Sequence, residues 1–175
     1  TESVFASSSK WYSAKPLDFS ITIPSKSSKN WVIGPILGFP LSVLAPNEKG
    51  FRPTMSLTPE SKPSHHVITM DKVEQSIGFY RDGRERFVQN RKGTIQRFHK
   101  PTKIVNDNKL EIFSFGYEYT INDKKVVEKS LRFMCEGHLV LGMTRYFPEF
   151  HRTARKDFEK IIQTLDCKKS KGTRS

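Results

Sequence analysis

The sequence predicts an α+β fold: an antiparallel β-sheet flanked by helices. Three observations carry this. Four strand-like segments follow one another across residues 94–147 with only tight-turn residues between them, an amphipathic helical pattern precedes them, and a second one follows. Hairpin-connected strands with segregated helices read as α+β, not as an alternating parallel fold.

The early chain reads as short strands punctuated by turn residues. Residues 17–23 alternate and stop at Pro24, 39–44 follow, and 51–57 end shortly before Pro59. Residues 61–66 form a polar loop. Across 70–91, Met70, Val73, Ile77, Tyr80, Phe87 and Val88 recur at three- and four-residue intervals, the spacing of one helical face. Asp71 suits the helix N-terminus, while Gly78 and Gly83 each weaken the interior by about 1 kcal/mol relative to Ala and invite a kink or early end. The strands of the meander are 94–98 with an extension to 105, 110–121, 125–135 and 138–147. Their connections, Asn106-Asp107-Asn108, Asn122-Asp123 and Glu136-Gly137, are residue types that accept tight turns. In the second strand Phe113, Phe115, Tyr117, Tyr119 and Ile121 share one face at period two. That stripe reads as core under a helix, with a stacking platform for a ligand or nucleic acid as the alternative. Pro148 fits the first turn of a closing helix over 148–165, whose Phe150, Ala154, Phe158, Ile161, Ile162 and Leu165 form the buried side.

At 175 residues the chain is the size of one domain. We expect an N-terminal extension over 1–16, a single domain over 17–167 and a basic, disordered tail over 168–175. A hydrophobic fraction of 35% with 13 Phe can build a core without disulfide staples, which excludes a miniprotein, and no internal repeat points to a solenoid. Residues 31–46, the longest apolar stretch, are broken by Gly34, Pro35, Gly38, Pro40 and Ser42, so no segment reads as membrane-spanning. The start at Thr1 with a Ser-rich stretch reads either as a mature chain after removal of an export signal or as a trimmed boundary.

The strand leading into the Ile-Pro-Ser turn at Ile23, Pro24 and Ser25, the aromatic Trp31 soon after, the central helix, the four-strand meander and the Tyr-Phe-Pro-x-Phe junction from Tyr146 to Phe150 together resemble the PsbP-like proteins. These include a photosystem extrinsic subunit, a Ran-binding transport factor, and exported DcrB-like bacterial proteins and secretion chaperones. The resemblance covers about residues 17–165 and implies an α/β/α sandwich used for binding other macromolecules, with no shared catalytic residues. Of its branches, the exported ones suit the Ser-rich start.

Two cysteines are present, Cys135 and Cys167. The strand between them advances about 33 Å and the closing helix returns about 27 Å, so the thiols can meet. A disulfide in an oxidising compartment and two free thiols in a reducing cytosol both remain open. Neither cysteine lies in a Cys-x-x-Cys pair, and the five histidines show no metal-ligand spacing. No nucleophile elbow, phosphate-binding loop or zinc-protease motif occurs, so we assign no catalytic residue, metal or cofactor.

Lys and Arg total 30 against 18 acidic residues, a net charge of +12. Half of it lies in one segment, where Arg84, Arg86, Arg91, Lys92, Arg97, Lys100 and Lys103 oppose Glu85 alone. This basic patch is the candidate binding site. A solvated face is the bland alternative; an acidic protein surface or envelope-associated assembly is the preferred partner, and nucleic acid the weaker one for lack of a recognition motif. The sequence therefore points to a non-enzymatic, monomeric, exported binding module, in the periplasm, a lumen or outside the cell. The alternative is a cytosolic secretion chaperone or adaptor of similar fold.

Overall fold

The computed structural model describes residues 9–24, 30–65 and 67–172. Ser25, His66, the first half of the expected N-terminal extension and residues 173–175 of the expected tail lie outside the described residues. The elements in chain order are β1 (Ser9–Ala14), β2 (Leu17–Thr22), β3 (Val32–Gly34), β4 (Leu41–Leu44), β5 (Thr54–Pro59), α1 (Met70–Asn90), β6 (Thr94–Val105), β7 (Glu111–Ile121), β8 (Lys124–Cys135), β9 (His138–Tyr146), α2 (Ala154–Thr164) and β10 (Asp166–Lys169). A seven-stranded antiparallel sheet runs in the order β3-β4-β5-β9-β8-β7-β6, and a smaller one in the order β1-β2-β10.

The meander forms as the sequence predicts, because alternation and turn chemistry agree. Asn122 and Asp123 have φ of 52° and 61°, and Glu136 and Gly137 have 50° and 79°. Such paired left-handed residues twist a two-residue turn to match its strands. Period-two alternation then sends Phe113, Phe115, Tyr117 and Tyr119 of β7 to one face, where all four are buried beneath α1 through Val73, Tyr80 and Val88. The helix is continuous across Gly78 and Gly83, neither of which has a neighbour within reach of an added Cβ. Thr69 caps it, its Oγ1 accepting from the Lys72 N–H at 3.3 Å.

The opposite face of the sheet is covered by two elements together. α2 buries Ala154, Phe158, Ile161 and Ile162, and β2 adds Leu17, Phe19 and Ile21 to the same core. Phe158 meets Trp31 edge-on at 6.3 Å and Phe19 meets Phe133 at 6.4 Å. The second helical layer of the expected sandwich is thus shared between α2 and the small sheet.

Several boundaries differ from the sequence reading. β1 lies inside the expected extension, and β10 runs through Cys167 into the expected tail, with Lys168 opposite Asp18 and Lys169 opposite Leu17. The closing helix begins at Ala154, not Pro148. The preceding residues form a turn, with the Phe150 and His151 N–H groups donating to the Phe147 carbonyl. Phe150 is held there by stacking on Phe51 at 4.2 Å and is only half-buried.

The C-terminal end of α2 is fastened twice. Asn106, only 3% exposed, donates from its amide to the carbonyls of Ile162 at 2.9 Å and Leu165 at 2.8 Å. Its side-chain oxygen accepts from the N–H groups of Asn108 and Leu110. The β6–β7 turn therefore satisfies carbonyls that a helix end leaves without partners. Immediately beyond, Cys167 is disulfide-bonded to Cys135, with Cα atoms 6.4 Å apart.

Phe158 is 3% exposed at the centre of this layer. Phe158→Ala should destabilise the protein by about 3 to 5 kcal/mol, read as a lower denaturation midpoint with an unchanged slope.

Candidate functional site

The basic segment is built around one buried acid. Val126, Glu128 and Arg132 alternate on the α1 side of β8, and Glu128 is 1% exposed. A buried carboxylate is tolerable only when paired and hydrogen-bonded. Arg84 of α1 lies 3.0 Å from one oxygen and Arg145 of β9 3.1 Å from the other. The Tyr119 hydroxyl donates to the second oxygen at 3.2 Å, and Arg84 Nε donates to the Tyr117 hydroxyl at 2.7 Å. Burial, reinforced by Glu128, pushes the Tyr119 phenol up to about 12 and those of Tyr80 and Tyr117 higher still. Gly116 is obligatory beside this network, since an added Cβ would lie 2.2 Å from the Glu128 carbonyl oxygen. Arg84, the first cation of the basic segment, is thus an internal counter-ion.

The remaining cations wrap around the β6 edge. Arg86, Arg91 and Lys92 are exposed near the α1 C-terminus. Arg91 lies 3.7 Å above the Phe87 ring and donates to the Phe87 carbonyl. The chain then crosses to β6 through Gly93, where an added Cβ would strike the Thr120 carbonyl oxygen at 2.4 Å. Along β6, alternation divides the cations between faces. Lys103 points to the α1 side, over Phe113, and pairs with Glu111 at 3.2 Å. Arg97 sits opposite Glu118, on the face away from α1. The basic patch read from the sequence is therefore not one uncancelled surface: Arg84 and Lys103 are paired with acids, and Arg97 occupies the far side of the sheet.

β6 is an edge strand, yet its register shifts between Ile95 and Arg97 and again between His99 and Thr102. Pro101 lies in the second shift and contributes no N–H. Bulges, proline and lysines along an edge discourage pairing with a further strand. This site presents side chains, not backbone.

On the face away from α1, Arg97, His99, Lys100, Thr102, Ser114 and Lys129 line a cavity of about 470 Å³. Thr102 and Ser114 share a hydroxyl hydrogen bond at 2.9 Å. His99 Nε2 lies 3.1 Å from the Glu118 carboxylate, whose other oxygen is 2.9 Å from Lys125 Nζ. Burial, opposed by Glu118 and aided by Lys129 and Arg97, holds the His99 imidazole below its ordinary value. The Lys125 hydrogen bond holds Glu118 below the usual carboxylate range. Sequence reasoning missed Lys129, which reaches this site from β8. The available signal was a lysine in the otherwise core-facing row of Val127 and Leu131.

Among the described residues no group of three His, Cys, Asp or Glu side chains could hold a metal ion, and no helix is long and apolar enough to cross a membrane. His65 is exposed, and His138 is buried with Nδ1 2.8 Å from the Glu60 carbonyl.

Two outcomes test this division of roles. Arg84→Ala strands part of a buried charge and should cost about 3 kcal/mol, whereas Arg91→Ala should change stability by no more than about 0.5 kcal/mol; paired denaturation curves compare them. His99 is depressed in the fold, so its neutral form contributes stability above its ordinary pKa, and that contribution is lost as pH falls through the folded value. Removing the carboxylate that counteracts the depression, by Glu118→Gln, should lower the His99 pKa further, as followed by NMR titration of its ring protons.

No family model and no curated protein sequence matches the chain. Solved structures do. LpqN of Mycobacterium tuberculosis, described as involved in cell envelope biogenesis, aligns at a TM-score of 0.51 with 13% identity over 91% of this chain and 90% of its own. The cyanobacterial PsbP of Synechocystis sp. PCC 6803 aligns at 0.52 with 11% identity over 95% and 96%. The sheet order, the two helices and these alignments agree that the chain has a PsbP-like fold.

Proposed function

We propose that this protein is a non-enzymatic, exported accessory module that docks on a larger envelope assembly through the cations around the β6 edge. The observation that carries the reading is the outward display of Arg86, Arg91, Lys92, Arg97 and Lys100 around a strand edge guarded against pairing. A cationic rim of this kind recruits an acidic surface through steering and charge complementarity. Export is supported by the Cys135–Cys167 disulfide, a bond characteristic of oxidising compartments, and by the likeness in fold to an envelope-biogenesis protein. The accessory role is supported by the same likeness.

The test is charge reversal. Arg91→Glu with Arg97→Glu should slow association with a partner isolated from the native source by about tenfold or more at low salt. The defect should shrink near 1 M salt, where screening shortens to about 3 Å, and the melting temperature should hardly move. Surface plasmon resonance showing an unchanged on-rate would reduce the rim to a solubilising face.

A further inference from the structure

The basic cavity does not end at Lys129. A second cavity of about 320 Å³ shares Thr102, Ser114 and Lys129 with it and continues beneath α2 along Ile104, Ile112, Leu131 and Ile162. The two are one groove with unlike ends. Both volumes fall in the range of about 300 to 1,000 Å³ typical of small-molecule sites.

We infer that this groove binds a single-chain anionic amphiphile, its head held by Arg97, Lys100 and Lys129 and its chain lying along Ile104, Ile112, Leu131 and Ile162. Charge selects the head. Arg97, Lys100 and Lys129 enter no ion pair among the described residues, and the one carboxylate beside them, Glu118, is engaged by Lys125 and His99. The far end carries Glu159, paired with Arg155 at 3.0 Å, and Gln163, so an anion is drawn toward β6.

The incomplete cover of the sheet selects the tail. α2 packs against β2 and β9 and leaves the β6 side open. Ile104, level with the buried Ile112 across the β6–β7 pair, consequently stays 39% exposed. Lys129 joins the two ends, because it stands between Val127 and Leu131 in a row otherwise directed into the core, and its stem can line the groove while its amine reaches the head. At roughly 30 Å³ per methylene, near the share of a water molecule in the liquid, the inner cavity of about 320 Å³ accommodates one chain of medium length.

The experiment is calorimetric titration of the full chain with octanoate, decanoate and dodecanoate below their micelle concentrations, with dodecyl maltoside as the uncharged-head control. Saturable one-to-one binding is expected, tightening about fourfold per added methylene until the groove is filled. Lys129→Gln should weaken decanoate binding about tenfold, and Ile104→Asp should flatten the chain-length dependence. Neither residue belongs to the proposed docking rim, and Arg91→Glu should leave decanoate binding unchanged, so failure here is distinguishable from failure of the docking reading. A spin-labelled fatty acid should also broaden the amide signals of Thr102, Ser114 and Leu131 in the unsubstituted protein, a readout independent of how the variants fold. Absence of saturable decanoate binding, equal affinity for the maltoside, or broadening confined to other residues would overturn the inference.

Discussion

A single buried carboxylate organises one whole face of the molecule. Glu128, buried beneath α1, needs partners for its carboxylate, and they come from three elements: the guanidinium groups of Arg84 from α1 and Arg145 from β9, and the hydrogen-bonding Tyr119 hydroxyl from β7. Meeting that demand fixes the rotation of α1 about its axis, because Arg84 must point inward. The same rotation brings Tyr80 against Phe115 and Phe87 against Tyr119. Such a pair is a poor source of net stability compared with apolar packing. Its effect is to make other placements of α1 on the aromatic stripe costly, and thereby to set which cations are left facing water.

The two faces of the large sheet are consequently finished by different means. Under α1 the cover is aromatic with a polar knot at its centre. On the other side it mixes aliphatic and aromatic side chains and is divided between α2 and a three-stranded sheet. A short helix and a small sheet cannot span seven strands. The shortfall lies over β6 to β8, beside the bulged and proline-bearing edge. The cationic rim and the groove therefore adjoin through geometry, since β6, which ends the sheet, is exposed along much of its length.

What the sequence reveals about this arrangement depends on where the information is local. The meander was legible because period-two alternation in β7 coincides with Asn-Asp and Glu-Gly turns, and α1 because its apolar spacing persists for 21 residues. The meeting of Cys135 and Cys167 was legible from chain lengths alone. β1, β3 and β10 were not. β1 is an edge strand exposed along most of its length, while β3 and β10 have 3 and 4 residues, too few to show a period. The charge of the basic segment was plain, yet its division was hidden. Which cation meets Glu128, and which side of β6 carries Arg97, follow from register and from the bulges, and neither is written in the segment itself. Pro148 misled for a related reason: the chain is turned there by Phe51, almost a hundred residues earlier in sequence, stacking on Phe150.

The double fastening at the end of α2 has a consequence for how this fold answers to its redox surroundings. Asn106 and Asn108 grip the last helical carbonyls, and β10 continues directly from that end to pair with β2. These contacts specify the native position of Cys167 without help from its sulfur. The covalent link then acts mainly by depriving the unfolded chain of freedom, not by shaping the folded one. Architecture and durability are separable here: a thiol-containing form keeps the same blueprint with a shorter lifetime, and oxidation works as a lock on a door already shut.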